Sequence, residues 1–202
     1  MTSNHHAADL ILASASRVRA KMLANAGVPF RVIIADIDEQ ALKDENSAQG
    51  VSEVAGLLAE AKALKISQDH PDNLVIGADQ ILECDGRLFD KPVGHAGAIA
   101  HLTALRGQQH RLITSACVVK NGETVWRETD NARLTMRNFS DEFLAEYLEK
   151  AGEEVQASVG AYRLEDIGAQ LFTGVEGDFF TVLGLPLLPL LEFLRGQRIL
   201  TP

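Results

Sequence analysis

Apolar residues at Leu10-Ile-Leu-Ala form a short buried-strand pattern that stops at Ser14-Ala-Ser16. Val18, Met22, Leu23 and Ala26 then recur near helical spacing until Gly27-Val-Pro29, so the chain opens as strand, tight turn and helix. Phe30 to Ile34 reads as a second strand that ends in the acidic string Asp36-Ile-Asp38-Glu39, and the polar stretch from Gln40 to Gly50 as loop. Ser52 is placed to cap the next helix, in which Val54, Leu57, Leu58, Ala61 and Leu64 follow the i, i+3, i+4, i+7 template as far as Ser67. Leu74-Val-Ile-Gly-Ala lacks alternation, as in an interior strand covered on both faces, and predicts Asp79 at the strand's end.

Beyond this point the pattern changes. Ala96 to Leu105 predicts a helix closed by Gly107, and Arg111 to Val119 and Glu123 to Thr129 flank Asn121-Gly122, a strong two-residue hairpin signal. Ser140 heads a helix carrying Phe143, Leu144, Tyr147 and Leu148, with acids in its first turn and Lys150 in its last. A Gly-rich segment fills 152 to 184, and Pro186 to Arg195 predicts a short closing helix. Strands alternating with helices early and pairing antiparallel later predict one mixed α/β sheet with a cleft.

Composition narrows the function classes. The 202 residues are 46% hydrophobic and 23% charged, an ordinary globular balance. Nineteen Lys plus Arg against 28 Asp plus Glu give a formal charge of −9, opposing the broad positive field that nucleic acid or an anionic membrane needs. A polyanionic ligand would therefore require a local cluster of Arg and Lys, or a divalent cation, to reverse the sign. The start MTSNHHAADLILASAS has no basic segment and too short an apolar run for a secretory signal, and the apolar stretch near Leu183 to Leu194 is broken by Pro186, Pro189 and Glu192. Cys84 and Cys117 have no metal-like spacing, so free thiols in a reducing cytoplasm are expected.

Candidate chemistry lies where strands end. Ser14-Ala15-Ser16-Arg17-Val18-Arg19 sits where a strand hands over to a helix N-terminus, whose free N–H groups attract anions. Arg17, Arg19 and Lys21 in the first turns oppose the helix dipole, which suggests a phosphate site; a solvated basic helix face is the alternative. On a helix Arg17 and Arg19 point to different sides, so at most one meets a ligand. Asp36, Asp38 and Glu39 could hold a hard cation or simply face solvent. Asp79, directly after five uncharged residues, must be hydrogen-bonded, metal-bound or shifted in pKa, unless it is a structural cap. Lys62, on the flank of its helix's apolar stripe, and Lys91, before Pro92, are either ligand cations or surface lysines. His110 has no second His or Cys nearby and reads as a core histidine. GxSxG, GxGxxG and the Walker GxxxxGK are all missing, which removes the main support for hydrolase-elbow, dinucleotide and P-loop readings.

The ordered strings LILASASRVRAKML, DIDE, AEAKAL, VIGADQIL, FDKP, GQQHRLIT, GAYRLE and GLPLLPLL span nearly the whole chain and resemble the Maf (septum formation) family of nucleoside triphosphate pyrophosphatases. The resemblance implies one domain over 1–202, with an elongated mixed sheet flanked by helices and two lobes around a central cleft, as in inosine triphosphate pyrophosphatase. It also implies a frequent homodimer that uses a divalent metal (Mg, Mn or Co) to hydrolyse nucleotides to the monophosphate and pyrophosphate.

The family's Ser-x-Ser-Pro-Arg-Arg turn falls on Ser14 to Arg19, where Arg17 stands for proline, Val18 stands for the first arginine and Arg19 keeps its place. Its phosphate lysines fall on Lys62 and Lys91, its glutamate on Glu39 and its general-base aspartate on Asp79, so that Glu39 and Asp79 together would hold the metal. Gln80 replaces the threonine of the dTTP and UTP branch and resembles the branch containing 7-methyl-GTP pyrophosphatases. In the late KAGaYaiQG motif Ser158 replaces lysine and Glu165 replaces glutamine. The expected substrate contacts are then Ser14, Ser16, Arg19, Lys62, Gln80, Lys91 and Glu165. A nucleotide-binding regulator of division with little turnover is the alternative function.

Overall fold

The computed structural model describes residues 9–201. The reading of the chain's start as free of a secretory signal rests partly on residues 1–8, outside the described residues. Seven strands form one mixed sheet in the order β2-β1-β3-β5-β6-β7, with β4 pairing β3. The strands are β1 (Leu10–Leu12), β2 (Arg31–Val32), β3 (Leu74–Cys84), β4 (Arg87–Phe89), β5 (Gln109–Lys120), β6 (Glu123–Met136) and β7 (Phe172–Glu176). The helices are α1 (Arg17–Asn25), α2 (Glu39–Glu45), α3 (Val51–Ser67), α4 (Gly94–Leu105), α5 (Asp141–Ala151), α6 (Phe179–Val182) and α7 (Leu187–Gly196). Short 3-10 turns occupy much of the stretch between α5 and β7. The expected mixed α/β sheet flanked by helices is thus the fold, and no helix among the described residues is long and apolar enough to cross a membrane.

The chain divides into two compact units. One runs to Asp79 and takes in Thr114–Asp130 and the chain from Gly184 onward; the other holds Gln80–Ile113 and Asn131–Leu183. In the first, β1 pairs parallel with both β2 and β3, Ile11 opposing Arg31 and Val75. Ala59, Ala63 and Ile66 of α3 pack on Ile11, Val75, Cys117 and Val119 of the strands. In the second, α4 and α5 bury Leu102, Leu105, Leu144 and Tyr147 against Leu82, Leu112 and Leu134. Each unit keeps one cysteine, both buried and free: Cys117 in the first and Cys84 in the second.

Several elements depart from the sequence reading. Residues 39 to 45 are helix rather than loop, because the Asp38 carboxylate accepts the Ala41 N–H and caps a first turn. Gly50, not Ser52, precedes α3, whose start has no side-chain cap. Its buried arc is Val54, Ala55, Leu58, Ala59, Lys62, Ala63 and Ile66, rotated from the predicted stripe, because small residues let the helix approach the sheet closely. β2 is shorter than expected, spanning Arg31–Val32, although the Ile33 N–H still donates to Leu12 O at 3.2 Å. β3 continues through Asp79 to Cys84, because Ile81, Leu82 and Cys84 are again buried, so Asp79 lies mid-strand and not at its end. The Asn121-Gly122 turn is present with φ of 50° and 74°, the left-handed pair that a two-residue hairpin requires, though both strands extend beyond the predicted bounds. The Gly-rich stretch contains β7, paired antiparallel with β6 across a bulge at Thr135/Met136.

Candidate active site

The first unit gathers four charged side chains from four elements. The α1 N-terminus is capped by Ser16, whose Oγ accepts the Arg19 N–H, while Ser14 Oγ accepts the Ser16 N–H. Arg17 and Lys21 of α1 are exposed, as a solvated basic face would have them, but Arg19 is buried. Its Nε donates to Gly184 O at 2.6 Å, and Nη1 donates to Ala78 O at 2.9 Å and Ser14 Oγ at 3.2 Å. Burial pushes the Arg19 guanidinium below its usual range, and the charges of Asp79 and Glu39 pull it back up.

Asp79 and Lys62 are 7% and 8% exposed and meet at 2.6 Å, Lys62 Nζ to Asp79 Oδ1. The same ammonium lies 3.0 Å from Glu39 Oε1, the first residue of α2, whose side chain is about half exposed. Two acids and two bases bring the formal charge of this cluster to zero, which makes its burial tolerable.

A glycine sets the spacing. A Cβ built on Gly77 would stand 2.0 Å from Ala59 O and 2.9 Å from Ala63 Cβ, so the backbone of α3 rests directly on β3 at this residue. Lys62 lies between Ala59 and Ala63 on α3 and Asp79 lies two residues beyond Gly77 on β3, so both flank this close contact, and the Lys62 ammonium reaches the Asp79 carboxylate across it. Sequence reasoning missed Gly77; its signal was an isolated glycine inside an apolar strand.

The second unit holds the remaining candidates. Gln80 Nε2 donates to Thr181 O at 3.0 Å and Val182 O at 3.1 Å, tying β3 to α6. Lys91 is exposed in the segment between β4 and α4. Glu165 Oε1 accepts from Arg163 Nε at 3.2 Å, and Arg163 also pairs with Glu154 and Asp166, so Glu165 shares one cation with two other carboxylates. His110 is a core histidine, 1% exposed, with Nε2 2.7 Å from Tyr162 Oη.

Among the described residues no three His, Cys, Asp or Glu side chains converge as a closed metal cage. Glu39 and Asp79 nevertheless converge on one cationic point, the Lys62 ammonium, with hard oxygen donors. Two carboxylates suit an ion such as Mg that takes its other ligands from water and phosphate.

The cluster sets two buried cations, Arg19 and Lys62, beside a mid-strand aspartate of a mixed sheet. The model of the family described as Maf-like protein matches residues 9–197, and this chain belongs to that family. A nucleoside triphosphate pyrophosphatase of Paramagnetospirillum magneticum is 54% identical over 95% of this chain and 100% of its own length. Proteins of the same name from Nitrobacter hamburgensis and Rhodopseudomonas palustris are 52% and 47% identical, each over 95% of both chains. Among solved structures, a dITP/XTP pyrophosphatase of Mycobacterium abscessus aligns over 94% of this chain and 95% of its own at 13% identity. Its TM-score of 0.43 is too low to establish a shared fold.

Proposed function

We propose that this protein hydrolyses nucleoside triphosphates to the monophosphate and pyrophosphate, as the names of its relatives say of them, with Asp79 as the reacting carboxylate. The observation that carries the reading is the Asp79, Lys62, Glu39 and Arg19 cluster, a buried set of cations around one mid-strand acid in an otherwise acidic chain. Asp79 accepts the proton of, or orients, the water that attacks the α-phosphorus. Lys62 neutralises phosphate oxygens, a role that the family's pattern gives to Lys91 also, and Ser14, Ser16 and Arg19 shape the turn at the head of α1. Glu39 and Asp79 would hold a divalent metal (Mg, Mn or Co), which when bound supplies charge neutralisation of the triphosphate.

For the base, we propose a modified or bulky purine such as 7-methyl-GTP over dTTP. The support is Gln80 in place of threonine, with its amide donors fixing the α6 turn, and Glu165 held by Arg163. The free buried thiols fit a cytoplasmic setting, and a homodimer remains an expectation of the family, read by light scattering. Pyrophosphate release from a panel of GTP, 7-methyl-GTP, dTTP and UTP with each metal tests the reading. Release is expected, purines leading. Tight nucleotide binding without release from any member would favour a nucleotide-binding regulator, and dTTP or UTP as the best substrate would reject the base assignment.

A further inference from the structure

Lys62 stands where a metal would be held. Its ammonium lies 2.6 Å from Asp79 and 3.0 Å from Glu39, the two carboxylates to which the proposed function assigns that ion, and its side chain is buried with Asp79. The stem has little room to withdraw by moving the helix, because α3 rests on Gly77 backbone to backbone. An ammonium and a divalent ion compete for the same oxygens, and they repel each other at such distances. With Arg19 counted, the cluster has no net charge to attract a bare cation.

We propose that Lys62 is a resident counter-ion that closes the Glu39–Asp79 pair to free metal and gives it up only when a triphosphate offers the ammonium new oxygens. Nucleotide-free protein therefore binds divalent ions weakly, and metal and triphosphate enter cooperatively. Until then Asp79 is occupied by Lys62, so the carboxylate is not committed to an ion that brings no substrate. This rests on the proposed metal-dependent reaction but does not need turnover to be tested, so its failure and that of the proposed function are separable.

The test is titration of Mn²⁺ into nucleotide-free protein, read by calorimetry and by the electron-spin signal of unbound Mn²⁺. Wild type, Lys62→Met and Lys62→Gln are compared, each alone and with Glu39→Gln. Removing the ammonium should tighten Mn²⁺ binding by at least about tenfold, in the range of coupling between close charges, and Glu39→Gln should abolish the gain. Equal or weaker Mn²⁺ binding by a folded Lys62 variant overturns the proposal, as does a gain that survives Glu39→Gln. Should both Lys62 variants unfold through carboxylate repulsion, recovery of the fold in Mn²⁺ but not in KCl of equal ionic strength supports it. Failure to recover overturns it.

Discussion

Lys62 and His110 are both polar side chains buried inside packed units, at 8% and 1% exposure, yet their surroundings have little in common. Lys62 meets two carboxylates carried by different elements. His110 meets one neutral hydroxyl, Tyr162 Oη, beneath the rings of Tyr162 and Phe172, and its Nδ1 has no hydrogen-bond partner. Burial drives the His110 imidazole down to about 4, so it stays neutral at physiological pH. Concealment of a polar group therefore does not by itself mark chemistry; the buried Lys62–Asp79 pair, brought together from two elements, is the proposed site, and His110 is not.

The sharpest way to break this contrast is at Asp79. Asp79→Asn keeps the shape and removes the charge, and pyrophosphate release should fall by at least about 100-fold with the fold retained by circular dichroism. Near wild-type release would show that the cluster is a structural ion pair only.

His110 gives the converse. Its folded pKa of about 4 lies below the unfolded value of 6.5, so the unfolded chain binds the extra proton first. The neutral form's contribution is then fully present above pH 6.5, lost as pH falls toward 4 and constant below, a loss of about 3 kcal/mol. Urea unfolding across this window should show the slope in wild type and a shallower one in His110→Gln, with pyrophosphate release at pH 7 little changed. Parallel slopes would remove His110 from the account.

Gly77→Ala tests what holds the charged cluster in register. Its methyl would press on Ala59 O, so stability should drop by about 2 kcal/mol and kcat should fall with it, as unfolding midpoints and steady-state rates would read. An unchanged kcat in a destabilised protein would uncouple the helix-to-strand spacing from Lys62.

Smallest is Gln80→Thr, which gives up two hydrogen bonds to α6 and should cost about 1 kcal/mol while narrowing the preference for purines over dTTP. An unchanged substrate ranking would leave Gln80 a purely mechanical tie.

The sequence showed the chemistry of the cluster better than its placement. Asp79 stood out because an acid after five uncharged residues needs a partner, but the pattern could not show that Ile81 and Leu82 carry the strand onward. Lys62 looked like a flank residue because α3 is apolar on most of its surface, so periodicity alone could not fix which arc faces the sheet. The close approach that selects this arc depends on Gly77, distant in sequence. The Asn121-Gly122 turn and the Ser140 cap were legible because their causes are local. The helix after Asp38 was not, since five polar residues around Ala41 and Leu42, with none of the seven buried, look like a loop until the cap bond is seen. Gln80 likewise showed its amide but not the carbonyls that engage it.

The two buried thiols offer a use unrelated to nucleotides. Burial holds Cys117 up near 12 and raises Cys84 as well, so in the native protein neither supplies much thiolate to an alkylating or disulfide reagent. Labelling must wait for the surrounding core to open, and each compact unit carries its own cysteine. The rates at which a mass tag appears on Cys84 and on Cys117 are thus two built-in clocks for local unfolding, available without adding a probe or changing a residue.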